Sequence, residues 1–329
     1  MLNKRALPWR STKDPYKIWI SEIILQQTRV SQGLNYYNSF IKSYPNIKLL
    51  ARAKEQDVLN KWRGLGYYSR ARNLHYTSKF IANEYGGVFP TEYEQIIKLK
   101  GIGRYTAAAV ASFSFNQPYA VLDGNVYRVL SRLFDISISI NTTDGQKYFS
   151  ELAQKLMDYN NPAKYNQAIM EFGALHCTYR KPSCEDCVFE EICLSNLRGT
   201  VLERPQKIKK IKTRKRFFVY FLEISRDKQK IVIQKRSDKD IWASLYEVPQ
   251  VEFLSEDLFN KEIDRHLLKD RKVSSVIKHV LSHQKIFAVF VHIEKCFEGD
   301  VEGQFQVNYN ELTKYPMPRL IDAYLENYF

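Results

Sequence analysis

Apolar positions in the first two-thirds of the chain recur at helical intervals, in blocks cut by Pro, Gly and short polar stretches. Asp14-Pro15 reads as N-cap and first turn of a helix running to about Val30. Further helices are predicted over Val30 to Tyr44, Gln56 to Arg63 and Ser69 to Tyr85, stopped by Pro45, Gly64 and Gly86-Gly87 respectively. Thr91-x-x-Glu94 reads as a capping box leading into Gln95-Ile96-Ile97-Lys98-Leu99. The turn Gly101-Ile102-Gly103 follows, then an apolar run through Ala107, Val110 and Ala111. Two glycines one residue apart suit a very short hairpin between helices, because glycine tolerates positive φ. Helices are expected again at Asn125 to Phe134, Thr143 to Tyr159 and Pro162 to His176.

Beyond residue 216 the period changes to two. Phe217 to Ile224 and Ile231 to Gln234 are rich in β-formers, and Lys285 to Glu294 alternates Phe287, Val289, Val291 and Ile293. Helices are predicted at Glu256 to Leu268 and Pro318 to Tyr328. Between the two patterns Lys207-Ile208-Lys209-Lys210-Ile211-Lys212-Thr213-Arg214-Lys215-Arg216 reads as a solvated basic linker. The expected organisation is an all-α domain at 1–197, a linker at 198–216 and an α+β domain at 217–329.

At 329 residues the chain can bury two cores. Its formal charge of +14 favours a polyanionic partner, nucleic acid before others. No apolar run has the length of a membrane span, and no signal peptide precedes Met1-Leu2-Asn3-Lys4-Arg5, so a cytoplasmic location is expected.

The hairpin would leave the amides of residues 103 to 106 unpaired at a helix start, an anion site beside the charge of Arg104. Twenty residues on, Asp123-Gly124-Asn125 places a carboxylate at another helix N-terminus. Together these suggest a helix-hairpin-helix grip on a nucleic-acid backbone with an acid beside it. Glu22 has Ile18, Trp19, Leu25 and Gln26 at helical spacing, and a carboxyl on so apolar a face would hold its proton, as a general acid must. Gln26 and Gln27 are surface amides or readers of base edges. Glu171, among Ala168, Ala174 and Leu175, rivals Glu22 on pattern alone. Tyr67 and Tyr68, in Gly64-Leu65-Gly66-Tyr67-Tyr68, are packing residues or wedges between bases. Four cysteines, Cys177, Cys184, Cys187 and Cys193, crowd into one stretch and read as metal ligands, for zinc or for a [4Fe–4S] cluster. Cys296 stands apart and reads as a core residue.

The cysteine spacing, the hairpin and the Asp123 helix start together resemble the endonuclease III superfamily of DNA glycosylases. Within it, Leu7-Pro8-Trp9-Arg10, Ser21-Glu22-Ile23-Ile24-Leu25-Gln26-Gln27-Thr28, Gly64-Leu65-Gly66-Tyr67-Tyr68 and Leu122-Asp123-Gly124-Asn125-Val126 resemble, in order, stretches of the MutY family of adenine glycosylases. Trp242-Ala243-Ser244-Leu245-Tyr246-Glu247-Val248-Pro249 resembles that family's C-terminal domain, a relative of the Nudix fold. Lys100 replaces the usual proline of the hairpin, and Leu281-Ser282-His283 stands where the family has Phe-Ser-His. The chain lacks the Gly-x5-Glu-x7-Arg-Glu run of true Nudix hydrolases, so pyrophosphate hydrolysis is not expected.

The resemblance implies hydrolysis of the N-glycosidic bond of adenine mispaired with 8-oxoguanine, or with guanine, in double-stranded DNA. It implies a [4Fe–4S] cluster on the four clustered cysteines. Glu22 would protonate the leaving base, Asp123 would stabilise the sugar cation, and Asn125 would orient Asp123 or water. Arg5, Leu7, Trp9 and Arg10 would line the adenine pocket, with Gln26 and Gln27 at the base pair and Tyr67 as wedge. Gly101, Gly103 and Arg104 would hold backbone phosphate. Leu281, Ser282 and His283 would read the lesion. Tyr105 stands where the related lyases carry a Schiff-base lysine, so no strand cleavage is expected. Glu171 has no counterpart in the resemblance and is assigned to structure. The chain is expected to act as a monomer, nucleoid-associated if bacterial and without a membrane. The competing readings are an endonuclease III-like glycosylase-lyase for oxidised pyrimidines and a non-catalytic DNA-binding module.

Overall fold

The computed structural model describes residues 5–208, 213–295 and 303–328. Cys296, read above as a core residue, lies outside them. By packing, the chain divides into two compact units, Met1–Arg52 with Asn73–Lys210, and Ala53–Arg72 with Ile211–Phe329.

The first unit is helical. Its elements are α1 (Pro15–Leu25), α2 (Val30–Ser43), α3 (Ile47–Arg52), most of α5 (Ser69–Glu84), α6 (Tyr93–Ile96), α7 (Arg104–Phe115), α8 (Gly124–Leu133), α9 (Thr143–Leu156), α10 (Pro162–Leu175) and α11 (Leu194–Leu197). Asp14 caps α1 as its sequence suggests, accepting from Tyr16 N at 3.0 Å. The helix ends at Leu25, short of the expected Val30, because Gln27 turns left-handed at φ +57° and redirects the chain into α2. The capping box at Thr91 does not form. Glu92 occupies the N-cap of α6 without a side-chain bond, and the Thr91 hydroxyl donates to the Glu92 carboxylate instead.

The hairpin turns on one left-handed glycine. Gly101 has φ +81°, and a Cβ there would meet Asn73 Cβ at 2.6 Å. Gly103 is extended and serves as N-cap of α7. Thr77 Oγ1 donates to the Lys100 carbonyl at 2.8 Å, and Lys100 Nζ lies 4.3 Å from the Tyr76 ring centre.

Residues 198–208, expected as free linker, are packed onto the helical unit. Asp135 gathers them, accepting from Arg198 at 3.0 Å, Arg204 at 2.9 Å and the Thr200 hydroxyl at 2.7 Å. Asn141 pairs with the Ile208 backbone through its amide nitrogen and oxygen, both at 2.9 Å. The charges that looked solvated by composition are therefore partly spent on one carboxylate. Arg214 to Arg216 already belong to a strand.

The second unit begins with α4 (Glu55–Lys61) and the first residues of α5, then takes up the C-terminal part of the chain. Its strands are β1 (Arg214–Ser225), β2 (Lys230–Lys235), β3 (Tyr246–Glu247), β4 (Gln250–Phe253), β5 (Ile277–Val280), β6 (Gln284–Lys295) and β7 (Gln304–Asn308). They run in the order β3-β2-β1-β6-β5, with β4 beside β1 and β7 beside β2. The β1–β6 pair is parallel, Phe217 opposite Phe287, and the others antiparallel, so the sheet is mixed. Alternation sorts the strands between two helices. Phe218, Tyr220, Leu222, Ile286, Ala288 and Phe290 share a core with Leu320, Ile321 and Leu325 of α13 (Arg319–Tyr328). Phe217, Val219, Val289 and Val291 pack with Phe259 of α12 (Glu256–Leu267). Among the described residues no helix is long and apolar enough to cross a membrane.

Candidate active site

Helix α1 is apolar almost all round. Ile18, Trp19, Ile20, Ile23 and Ile24 are buried, and the same packing carries Glu22 into the interior, 6% exposed. Its carboxylate accepts from the Tyr105 hydroxyl, in the first turn of α7, at 2.6 Å. Burial pushes the Glu22 carboxyl up to about 7; the Tyr105 bond and Arg10 oppose the rise, and the neighbouring Asp123 charge adds to it. The Tyr105 phenol is raised well above its ordinary value by burial and by both carboxylates, so it remains a donor.

Asp123 is the N-cap of α8. One oxygen accepts from Asn125 N at 2.9 Å and Val126 N at 2.8 Å, the other from Asn125 Nδ2 at 2.7 Å. Burial raises its carboxyl as well, but these three donors and Arg128 pull the other way. Glu22 has one donor at its carboxylate where Asp123 has three. The three donors and Arg128 favour the charged form of Asp123 against the burial that raises it, while Glu22 has one such donor against the same burial.

A cavity of about 550 Å³ joins them, lined by Arg5, Leu7, Trp9, Arg10, Glu22, Gln26, Gln27, Tyr105, Asp123 and Asn125. Each of these is named by the sequence. Glu171, which the resemblance left to structure, lines the same cavity. Burial alone would raise its carboxyl, but Arg10 at 2.5 Å and Arg5 at 2.6 and 2.8 Å hold it well below the usual carboxylate range. Its apolar neighbours in sequence hide the two arginines that reach it from the N-terminal segment. Gly101, Gly103 and Arg104 lie outside the cavity lining, exposed at the hairpin. The first helical bond of α7 runs from Ala107 N to Gly103 O, so the amides of residues 104 to 106 take no helical partner.

In the second unit, Leu281 packs against the sheet core while Ser282 and His283 are exposed between β5 and β6. Tyr67, 45% exposed, shares a hydrogen bond with the Ser282 hydroxyl.

The four clustered cysteines surround one small hollow with Arg132. Among the described residues no group of three His, Cys, Asp or Glu is spaced for a single metal ion. Arg132 is 1% exposed and donates to Cys177 Sγ at 3.4 Å and to the carbonyls of Thr178, Tyr179 and Val201 at 2.7, 3.0 and 2.9 Å. Those carbonyls are neutral, so thiolates holding a metal group in the hollow would supply the charge that matches this buried cation. The donor set therefore fits an iron–sulfur cluster. Arg128, one turn earlier on α8, joins the two regions, donating to Asn125 Oδ1 at 2.9 Å and the Cys177 carbonyl at 2.8 Å. Sequence reading passed over both arginines. Their only signal is a pair of cations at i and i+4 on a helix otherwise buried through Val126, Val129 and Leu130.

Residues 20–169 match the HhH-GPD superfamily of base excision DNA repair proteins, and residues 219–327 match the NUDIX domain. The chain is 38% identical over 290 residues to an adenine DNA glycosylase of Buchnera aphidicola subsp. Baizongia pistaciae, spanning 86% of this chain and 80% of that one. It is 33% identical over 339 residues to the adenine DNA glycosylase of Buchnera aphidicola subsp. Acyrthosiphon pisum, spanning 99% and 93%. The solved structure of a thermostable thymine-DNA glycosylase superposes with a TM-score of 0.56 and 31% identity, over 60% of this chain and 90% of that one. With full-length relatives above 30% identity and both domains matched, the chain belongs to the adenine DNA glycosylase (MutY) family of the HhH-GPD superfamily.

Proposed function

We propose that the chain removes adenine paired with 8-oxoguanine, and with guanine, from double-stranded DNA, by hydrolysis and without cutting the strand. The observation that carries this reading is one cavity holding two carboxyls in unlike settings, Glu22 raised to about 7 and Asp123 capped by three donors. The adenine is sealed in the stack and must be flipped out, at a cost of a few kcal/mol. The charge of +14 and the hairpin amides favour holding a bent backbone while it is out. Leu7 and Trp9 offer apolar surface to the flipped base, and Glu171 with Arg5 and Arg10 offers an acceptor and donors to its edge.

Glu22 gives its proton to N7 of the base. The C1′–N9 bond then breaks with its electron pair leaving on the neutralised adenine. The sugar becomes oxocarbenium-like, and the anionic Asp123 stabilises that charge. Water adds at C1′ and loses a proton to a carboxylate of the site, with Asn125 holding Asp123 in position. The helical unit carries this chemistry, and the unit that holds the C-terminal residues reads the opposite base through Ser282 and His283. The protein works as a monomer on mismatched duplex DNA, in the cytoplasm or on the nucleoid. Duplexes carrying adenine opposite 8-oxoguanine, guanine, cytosine or thymine, incubated with the protein and heated in alkali, test the reading. Breaks are expected at adenine opposite 8-oxoguanine and guanine. No break in these duplexes, with breaks in a control duplex that carries an oxidised pyrimidine, would replace it with the glycosylase-lyase reading.

Tyr105 has no amine, so borohydride trapping on substrate is expected to give little covalent adduct beside that of a lysine-bearing lyase. Efficient trapping would mean that another amine attacks the sugar.

Cys177, Cys184, Cys187 and Cys193 would hold a [4Fe–4S] cluster, which when bound ties the loop of residues 177–193 together and balances Arg132. Cys187→Ser is expected to lose iron and the broad visible absorbance of the protein, since serine is a poor ligand for iron–sulfur clusters. Zinc without iron in anaerobically purified wild type would refute the assignment.

A further inference from the structure

The Gly64–Tyr68 loop comes early in the chain, yet it packs in the unit formed by the C-terminal residues. Gln56 Nε2 and Asn60 Nδ2 of α4 both donate to the Lys314 carbonyl, at 3.0 and 2.7 Å. Arg63 forks onto Asp322 of α13, its Nε donating to Oδ2 at 2.8 Å and its Nη2 to Oδ1. Asp322 is 5% exposed, and its other cation, Arg319, stands off at 3.8 Å. Inside the loop, Trp62 Nε1 and Arg70 Nη2 each donate to the Gly66 carbonyl at 3.1 Å, and the Arg70 guanidinium lies over the Trp62 and Tyr67 rings. Within the loop Tyr67 stands at φ +49°, its hydroxyl on Ser282.

A plain connection between helices needs no such fixture. A two-point arginine–carboxylate fork largely out of water adds little net stability, but it sets one orientation and loses much when one partner is removed. We infer that Arg63 and Asp322 are positioning residues for discrimination of the base opposite adenine. The fork holds the Tyr67 loop against Ser282, so that the side chain that enters the stack and the loop that reads the lesion act as one body. This rests on the roles proposed above for Tyr67 and Ser282. Neither Arg63 nor Asp322 needs to touch DNA. Discrimination then has a determinant in the first sixty-odd residues as well as in the C-terminal domain.

The test uses the full chain with Arg63→Met, Asp322→Asn and Arg63→Lys. Two quantities are read: the ratio of single-turnover excision rates for adenine opposite 8-oxoguanine and opposite guanine, and the fluorescence of 2-aminopurine placed beside the opposite base, which reports unstacking by Tyr67. Arg63→Met is expected to lower the ratio about fivefold, on the order of one lost hydrogen bond, and to reduce the fluorescence rise on binding. The rate opposite guanine should stay within about twofold of wild type, a change too small to be the loss of one such contact. Arg63→Lys, which keeps the charge, should recover part of both losses. Equal falls on the two duplexes, or an unchanged ratio and fluorescence in folded Arg63→Met, would overturn the inference. Should Arg63→Met not fold, Tyr67→Phe removes only the hydroxyl facing Ser282, and a wild-type ratio there overturns it equally. A wild type that excises adenine with no preference brings down the lesion reading itself, and this inference with it.

Discussion

Single-turnover excision of adenine by Glu22→Gln is expected to fall by ~10²–10⁴, the usual contribution of a positioned general acid. Glutamine keeps the shape and can still accept from the Tyr105 hydroxyl, so mismatch binding should persist. As the proposed acid Glu22 acts in its protonated form, and burial pushes that carboxyl up to about 7, so the rate is expected to decline as pH rises through about 7. The variant should lack that decline. The same shift has a stability consequence. The folded carboxyl holds its proton more tightly than the unfolded one, at about 7 against 4.5. Its stabilising contribution is therefore complete below the unfolded value and lost as pH rises through the folded one. Glu22→Gln should accordingly be more stable than wild type at pH 8, by on the order of 3 kcal/mol, with the gap closing toward pH 4. Thermal melts across that range, beside single-turnover rates, check both. Excision within tenfold of wild type would remove Glu22 from the role of acid.

Asp123→Asn is expected to cost about 10²–10³ in the same assay, the scale of removing one aimed electrostatic group from a site that develops charge. Asparagine ranks with aspartate as an N-cap, and its side-chain oxygen can still accept from Asn125 N and Val126 N. The start of α8 should survive, and melting should shift far less than for a lost cap. What the variant lacks is the negative charge facing the sugar cation. Preserved fold and DNA binding with excision lost would separate the charge from the cap. Near-normal excision would assign Asp123 to the cap alone.

Glu22 and Asp123 are legible in the chain itself because their signals are short-ranged, whereas Arg5, Leu7, Trp9, Arg10 and Tyr105 are reached only through the family resemblance. The apolar face around Glu22 is written within one helical turn on either side, and Asp123-Gly124-Asn125 is a cap readable from three residues. Local reading was weaker at ends of elements. Nothing near Gln27 marks it as left-handed, and Thr91 offered a capping pattern that the backbone did not use. Glu171, assigned to structure for want of a counterpart in the resemblance, meets cations that come from 161 and 166 residues away, which no local pattern shows.

By itself, then, the sequence determined the helical and β-rich portions, the glycine turn of the hairpin, two carboxylates of the cavity (Glu22 and Asp123) and the four cysteines in one stretch. Backbone hydrogen bonds, caps and apolar periodicity act over a few residues, so a linear reading can follow them. The tertiary structure alone decided that Ala53–Arg72 belongs with the C-terminal unit, that residues 198–208 are gathered by Asp135, and that Arg132 is buried against Cys177. Those outcomes depend on a charge finding its partner across the fold, as Arg63 finds Asp322 over 259 residues. A buried charge is costly until that partner is in place, and no local pattern names the partner in advance.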